Sequence, residues 1–166
     1  AGFGAWIYHY ALVFDPQGLE RAALLTSVFW GLLGLGRLGG IPILARFKPE
    51  RFLALIVPAS LLSFAAAVLW PATPWALWAA TIGAGLSMAC IFPTLLVYAG
   101  PLLSGGGRVS SRMTSFFFVG SASGSICLPW LMGQAFDPLG ARTALSIPVL
   151  GAAAMTLLFF VIRRRA

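Results

Sequence analysis

Apolar and polar positions fall along the chain in long blocks. Six mostly apolar runs cover about Ala1–Phe14, Arg21–Ala45, Phe52–Trp70, Trp75–Gly100, Arg112–Phe136 and Thr143–Ile162. Short stretches rich in Pro, Gly and charge separate them: Asp15–Gly18, Arg46–Arg51, Pro71–Pro74, Pro101–Ser111 with its glycine run Gly105–Gly107, and Asp137–Gly140. Arg163–Arg165 follow the last run. About 20 apolar residues cross a bilayer as a helix. In lipid every backbone N–H and C=O must be satisfied within its own segment, which makes helices the economical reading of such runs. The strict alternation of a barrel strand is missing. The first run is too short to span; without the basic start of a signal peptide, it reads as a spanning helix cut at its beginning. The pattern predicts an all-α polytopic membrane protein, one bundle of six transmembrane helices over residues 1–166.

Composition agrees. The chain is 60% hydrophobic and 9% charged, whereas a soluble domain carries about 25% charged residues. A net charge of +7 would suit nucleic acid, but the basic residues sit in turns between apolar runs and form no basic face. Cys90 and Cys127 each lie inside an apolar run, with no CxxC pair and no Cys/His cluster. They read as small apolar residues, and neither a metal nor another cofactor is expected.

Charge then orders the helices. If six helices alternate, Arg46, Lys48, Arg51, Arg108, Arg112 and Arg163–Arg165 share one side of the membrane. The other side holds Arg21 and Arg142 with Asp15, Glu20 and Asp137. The excess of Lys and Arg marks the cytoplasmic side, which puts both ends of this stretch in the cytoplasm and the protein in the cell (plasma or inner) membrane.

A weak repeat is also visible. Phe47-Lys48-Pro49 after the second run matches Phe136-Asp137-Pro138 after the fifth, 136 − 47 = 89 positions later, and Pro42 and Pro129 sit near the ends of the same two runs. Three helices apart means opposite sides of the membrane, so the repeat is inverted, about 1–70 against 75–162.

Several runs resemble known sequences. Gly36-Arg37-Leu38 through Ala45-Arg46-Phe47 resembles the signature turn of the major facilitator superfamily, although Ala45 stands where the stronger copy of that motif has Asp. Gly83–Ser87 through Ile91–Thr94 resembles the tenth helix of its sugar-transporting members, and Gly120–Gly124 through Leu128-Pro129 their eleventh. Gly2–Ile7 is similar to the seventh helix in the branch of sodium-dependent glucose transporters and fucose permeases. The resemblance implies the C-terminal half, helices seven to twelve, of a twelve-helix transporter built from inverted 3+3 repeats. It implies that the first, second, fourth and fifth helices face a central cavity and that the third and sixth lie outside. The implied partners are the N-terminal six-helix half, the lipid bilayer, a small-molecule substrate, and H+ or Na+. No Asp or Glu lies inside an apolar run, so an acidic coupling residue would belong to the missing half or to sequence before Ala1.

Candidate residues follow from helical spacing. Trp6, His9 and Tyr10 share a face at i, i+3 and i+4. They read either as a platform for a sugar ring or as an interfacial aromatic belt. Tyr8, about 200° round from Trp6, is expected to face lipid or a neighbouring helix. His9 is the one histidine, read as a proton-coupling group or as a hydrogen-bonded residue at the outer rim. Arg37 lies about 13 Å deeper than Arg46 at 1.5 Å per residue, on a face with Ser27, Trp30 and Gly34. A charge at that depth costs several kcal/mol unless it snorkels or pairs. Gating or structure is its expected role, with substrate contact as the other reading. Ser87, Cys90 and Thr94 share a face of the fourth helix beside Pro93, which can kink it. Gly120 and Gly124, with Ser121 and Ser125 alongside, form a small face on the fifth that suits close packing or cavity lining.

Two other classes compete with a transporter. An intramembrane serine protease needs a nucleophile and base within reach. Only Ser123 in a partial motif and His9 are on offer, so no enzyme is expected. A six-helix structural or assembly protein is the alternative, separated from a transporter by the absence of a wet central cavity.

Overall fold

The computed structural model describes residues 2–71, 73–103 and 111–165. Gly105–Gly107 and Arg108 lie outside the described residues. Six helices follow one another: α1 Gly2–Phe14, α2 Leu19–Arg46, α3 Pro49–Leu69, α4 Pro74–Leu103, α5 Ser111–Leu139 and α6 Ala141–Arg165. All but α1 are long and apolar enough to cross a membrane.

The helices outrun the apolar blocks at their wet ends. α3 starts at Pro49 rather than Phe52, because Pro is preorganised for the first turn and lacks an N–H that would be unsatisfied there. Only Phe47 and Lys48 separate it from α2. The expected turn at Asp137–Gly140 contracts to one residue: α5 runs through Asp137 and Pro138, and Gly140 alone reverses the chain at φ +83°. That left-handed backbone is open to glycine and strained for other residues.

Neighbouring helices close a ring in the order α1, α2, α4, α3, α6, α5 and back to α1, with a lighter contact between α4 and α5 where Phe92 meets Phe118 at 5.2 Å. Inside the ring an aromatic cluster packs beside a cavity of about 280 Å³ that α1, α3, α4, α5 and α6 line. Phe3 of α1 stands 5.8 Å from Phe29 of α2 and 5.2 Å from Phe64 of α3, ring centre to ring centre. A second cluster, Leu53, Val57 and Phe159, joins α3 to α6 near the basic end.

α2 and α4 approach most closely at small residues. A Cβ on Gly36 would lie 2.7 Å from the Ala89 Cβ, and one on Gly40 3.2 Å from the Cys90 sulfur. The Cys90 thiol donates to the Gly36 carbonyl at 3.3 Å. Gly36 and Gly40 are four apart and form the small-xxx-small seam through which helices pack backbone to backbone in lipid.

Two contacts fix which ends share a side. Arg163 at the end of α6 pairs with Glu50 at the start of α3, Nε to Oε1 at 2.6 Å. At the opposite end Arg142 of α6 donates from Nε to the Val68 carbonyl of α3 at 2.9 Å. The alternation expected from the charges therefore holds for this pair of helices.

Candidate functional site

α1 sends its aromatic residues in different directions. Trp6 turns to α5: its indole Nε1 donates to the Pro129 carbonyl at 3.0 Å, its ring stacks on Phe136 at 5.1 Å, and Gly133 leaves the room it occupies. Tyr10 turns inward and is fully buried, its hydroxyl donating to the Ala67 carbonyl of α3 at 2.8 Å. Trp6 and Tyr10, expected side by side, therefore do not form one open platform. The carbonyls of a helix's last turn have no partner within the helix. At α3 Trp70 N–H, Tyr10 and Arg142 satisfy Ala66, Ala67 and Val68 in succession.

His9 stays exposed at the centre of α1's outward face. The Trp6 and Tyr8 rings flank it, each with its centre 5.5 Å away. Tyr8 is half-buried and packs on the core, so it belongs to the surroundings of His9. Its large ring and its place one residue before the histidine were the available signal.

α2 and α5 carry the other outward faces. Ser27, Trp30, Gly34 and Arg37 lie exposed along α2, as the spacing predicts. Ser27 donates back to the Ala23 carbonyl at 3.0 Å, and Trp30 stands edge-on to Phe29. Among the described residues the Arg37 guanidinium meets no ion-pair or hydrogen-bond partner. Arg46 is exposed at the helix end. On α5 Ser121 is exposed, and a Cβ at Gly120 or Gly124 would meet nothing within 4 Å. This small face packs on nothing within the described chain; the seam that does pack is Gly36–Gly40 on α2.

The α4 candidates lie elsewhere. Ser87 and Thr94 are buried; Ser87 borders an apolar cleft between α2, α3 and α4 with Gly36, Gly39 and Phe52, away from the outward faces of α1 and α5. The face they share with Cys90 is the one that meets α2, and Thr94 spends its hydroxyl on the Cys90 carbonyl at 2.6 Å. Pro93 is half-buried, and α4 continues through it to Leu103.

Burial and polarity separate these surfaces. The most apolar stretches of α2 and α5 are the least apolar of the five long helices' and also the least covered, 11% and 6% buried against 44% for α4. Helices exposed to lipid all round should be the most apolar instead. α1 packs between them, so Ser27, Trp30, Arg37, His9, the edge of Trp6 and Ser121 belong to neighbouring outward faces. Among the described residues no group of His, Cys, Asp or Glu is placed to hold a metal ion.

Six helices, five of them long and apolar enough to cross a membrane, packed through a buried seam of small residues, define the class: an integral membrane protein. No family model matches the chain, and no solved structure does. Curated relatives do. Major facilitator superfamily domain-containing protein 4A of Homo sapiens is 30% identical over 164 residues, 95% of this chain and 31% of that protein. Sodium-dependent glucose transporter 1A of Mus musculus is 29% identical over 131 residues, 79% of this chain and 30% of that protein. The chain spans about a third of the length of these relatives. It belongs to the major facilitator superfamily, as a C-terminal piece in the branch that holds the sodium-dependent glucose transporters.

Proposed function

We propose that this chain is half of a secondary transporter that moves a small polar solute of the sugar class by alternating access. The observation that carries the reading is the outward face of α2, α1 and α5: an arginine without a partner among the described residues, hydroxyls and indoles, set among apolar side chains on stretches less apolar and less covered than their neighbours. Such a wall suits a water-filled cavity closed by a second six-helix body, the N-terminal half of the same protein. Trp6, His9, Ser27, Trp30 and Ser121 are assigned to the cavity, with Tyr8 beside His9. Arg37, Arg46, Gly120 and Gly124 are assigned to the contact between halves. Tyr10, Ser87, Pro93 and Thr94 serve the packing of the unit itself. The name of the murine relative supports glucose or a similar hexose as the solute, and Na+ as the coupling ion over H+.

The packing also supports an inverted repeat of residues 1–70 and 75–162. Shifted by 89, the contact of Gly40 with Cys90 falls at Pro129 and residue 1; Gly2 lies against Leu128 and Pro129. The two seams correspond within one residue.

The function is tested on the full-length protein in liposomes, by counterflow of labelled glucose driven by unlabelled glucose inside. Saturable counterflow that a sodium gradient accelerates is expected. Binding of the sugar without any counterflow would leave the structural alternative standing.

The basic end of the bundle is assigned to the cytoplasm. A single cysteine at Lys48, with Cys90 and Cys127 replaced by serine, should react with a membrane-impermeant maleimide only in opened cells. Labelling in intact cells reverses the assignment.

A further inference from the structure

We infer that this unit holds a second, shallower sugar site, at the end of the bundle opposite the basic one, between the α1–α2 and α3–α4 turns. The inference rests on the reading of the solute as a sugar. A pocket of about 200 Å³ opens there, walled by Leu25, Leu77, Pro71, Pro74 and Trp78. Both turns are held by their own backbone. The Gly18 N–H donates to the Asp15 carbonyl at 3.0 Å, and the Thr73 N–H to the Trp70 carbonyl at 3.2 Å. The pocket is therefore preformed, which spares a ligand the cost of ordering it. None of the residues assigned to the cavity lines it.

Charge stands at its entrance. Asp15, Gly18 and Arg21 line the pocket and also a wider, open bowl of about 490 Å³ that Gln17 and Glu20 share, so these three residues divide the two spaces. Arg21 Nη1 lies 3.5 Å from Asp15 Oδ2, with the two side chains 69% and 49% exposed. A charge-assisted N–H···O bond closes to about 2.7–2.9 Å. The pair thus attracts without committing its donors and acceptors, and among the described residues neither side chain makes another hydrogen bond. A hydroxyl donates and accepts at once, so neighbouring hydroxyls of one sugar can give to the carboxylate and take from the guanidinium. A neutral ligand leaves the pair charge-balanced, whereas an ion would have to separate it, and Glu20 in the bowl disfavours anions further. Trp78, half-buried, offers the aromatic wall on which the apolar face of a pyranose packs. The volume falls below the roughly 300–1,000 Å³ of pockets for drug-sized ligands, so a single sugar ring is the ligand that fits. Sugar held here sits beside the ends of α1 and α2, two of the helices that carry the cavity face, as a loading site would.

The test uses the full-length protein in lipid nanodiscs, where both faces are accessible, with its native cysteines replaced by serine. Pro74→Cys, or Pro71→Cys as a second reporter, places a thiol in the pocket wall, and its rate of maleimide labelling is followed against glucose. Labelling should slow saturably with glucose and not with mannitol, which has hydroxyls but no ring face. Asp15→Ala with Arg21→Ala, and separately Trp78→Leu, should each raise the half-protecting concentration roughly fivefold or more, the size of one lost contact. Protection should persist in Trp75→Leu, a like residue on the same helix outside the pocket, and in Trp6→Ala. No protection by glucose, equal protection by mannitol, or protection indifferent to Asp15, Arg21 and Trp78 overturns the site. Loss of protection in Trp6→Ala also overturns it, since labelling would then follow sugar bound in the cavity. Protection without counterflow removes the transport reading and keeps this site; counterflow without protection removes this site alone.

Discussion

Gly36→Ala in the full-length protein is expected to lower Tm, and Ala89→Gly to restore it. The added methyl would sit 2.7 Å from the Ala89 Cβ. Both atoms are fixed to helix backbone, so the contact is relieved only by moving α2 and α4 apart. Overpacking of this kind costs roughly 1–3 kcal/mol. The same displacement stretches the Cys90–Gly36 hydrogen bond of 3.3 Å, whose net worth is on the order of 1 kcal/mol. Ala89→Gly alone costs about 1 kcal/mol through helix propensity, yet in the double variant it removes the clash. The two substitutions should thus couple by about 1 kcal/mol or more in thermal unfolding. Strict additivity would show that α2 and α4 do not meet here.

Arg37→Ala should have the opposite signature: protein yield and monodispersity as in wild type, and solute uptake lower by on the order of 10- to 100-fold, 1.4 to 2.8 kcal/mol in transition-state terms. Among the described residues the guanidinium has no hydrogen-bond or ion-pair partner, so no polar contact of the six-helix fold is lost with it. Its position about 13 Å from Arg46 along the helix is costly unless a carboxylate or water in the assembled protein receives it. Arg37→Lys should recover part of the uptake, keeping the charge but not the paired donor geometry. Unchanged uptake in Arg37→Ala would mean that the side chain snorkels to the interface. Loss of folded protein together with uptake would make the residue structural.

The helices were legible in the sequence because lipid leaves the backbone few options: run lengths and charged breaks fall near the ends of the six observed helices. What escaped lay at the wet ends and at the edges of faces. At Asp137-Pro138 local turn chemistry pointed to a loop, yet one left-handed glycine sufficed for the reversal, so the helix ran on to Leu139. Trp6 and Tyr10 sit on adjoining positions of the helical wheel, and spacing alone cannot say where a neighbour's surface divides such a pair. That division came from α5, which takes the indole at Pro129, and from α3, whose unpaired carbonyl at Ala67 takes the phenol. Ser87 and Thr94 show the same limit: their common face was readable, but its partner was set by Gly36 and Gly40 on another helix. The open faces carrying Ser27, Trp30 and Arg37 on α2, and Gly120 and Gly124 on α5, were readable as shared faces. Their openness emerges only once the other five helices are in place.

The single residue at the α5–α6 junction has a mechanical meaning. Consecutive Cα atoms are 3.8 Å apart, so one glycine provides almost no slack between two helices of 29 and 25 residues. The pair behaves as a stiff lever rather than as two rods on a cord. A displacement of α5 is handed to α6, and through the Arg142 and Arg163 attachments to both ends of α3.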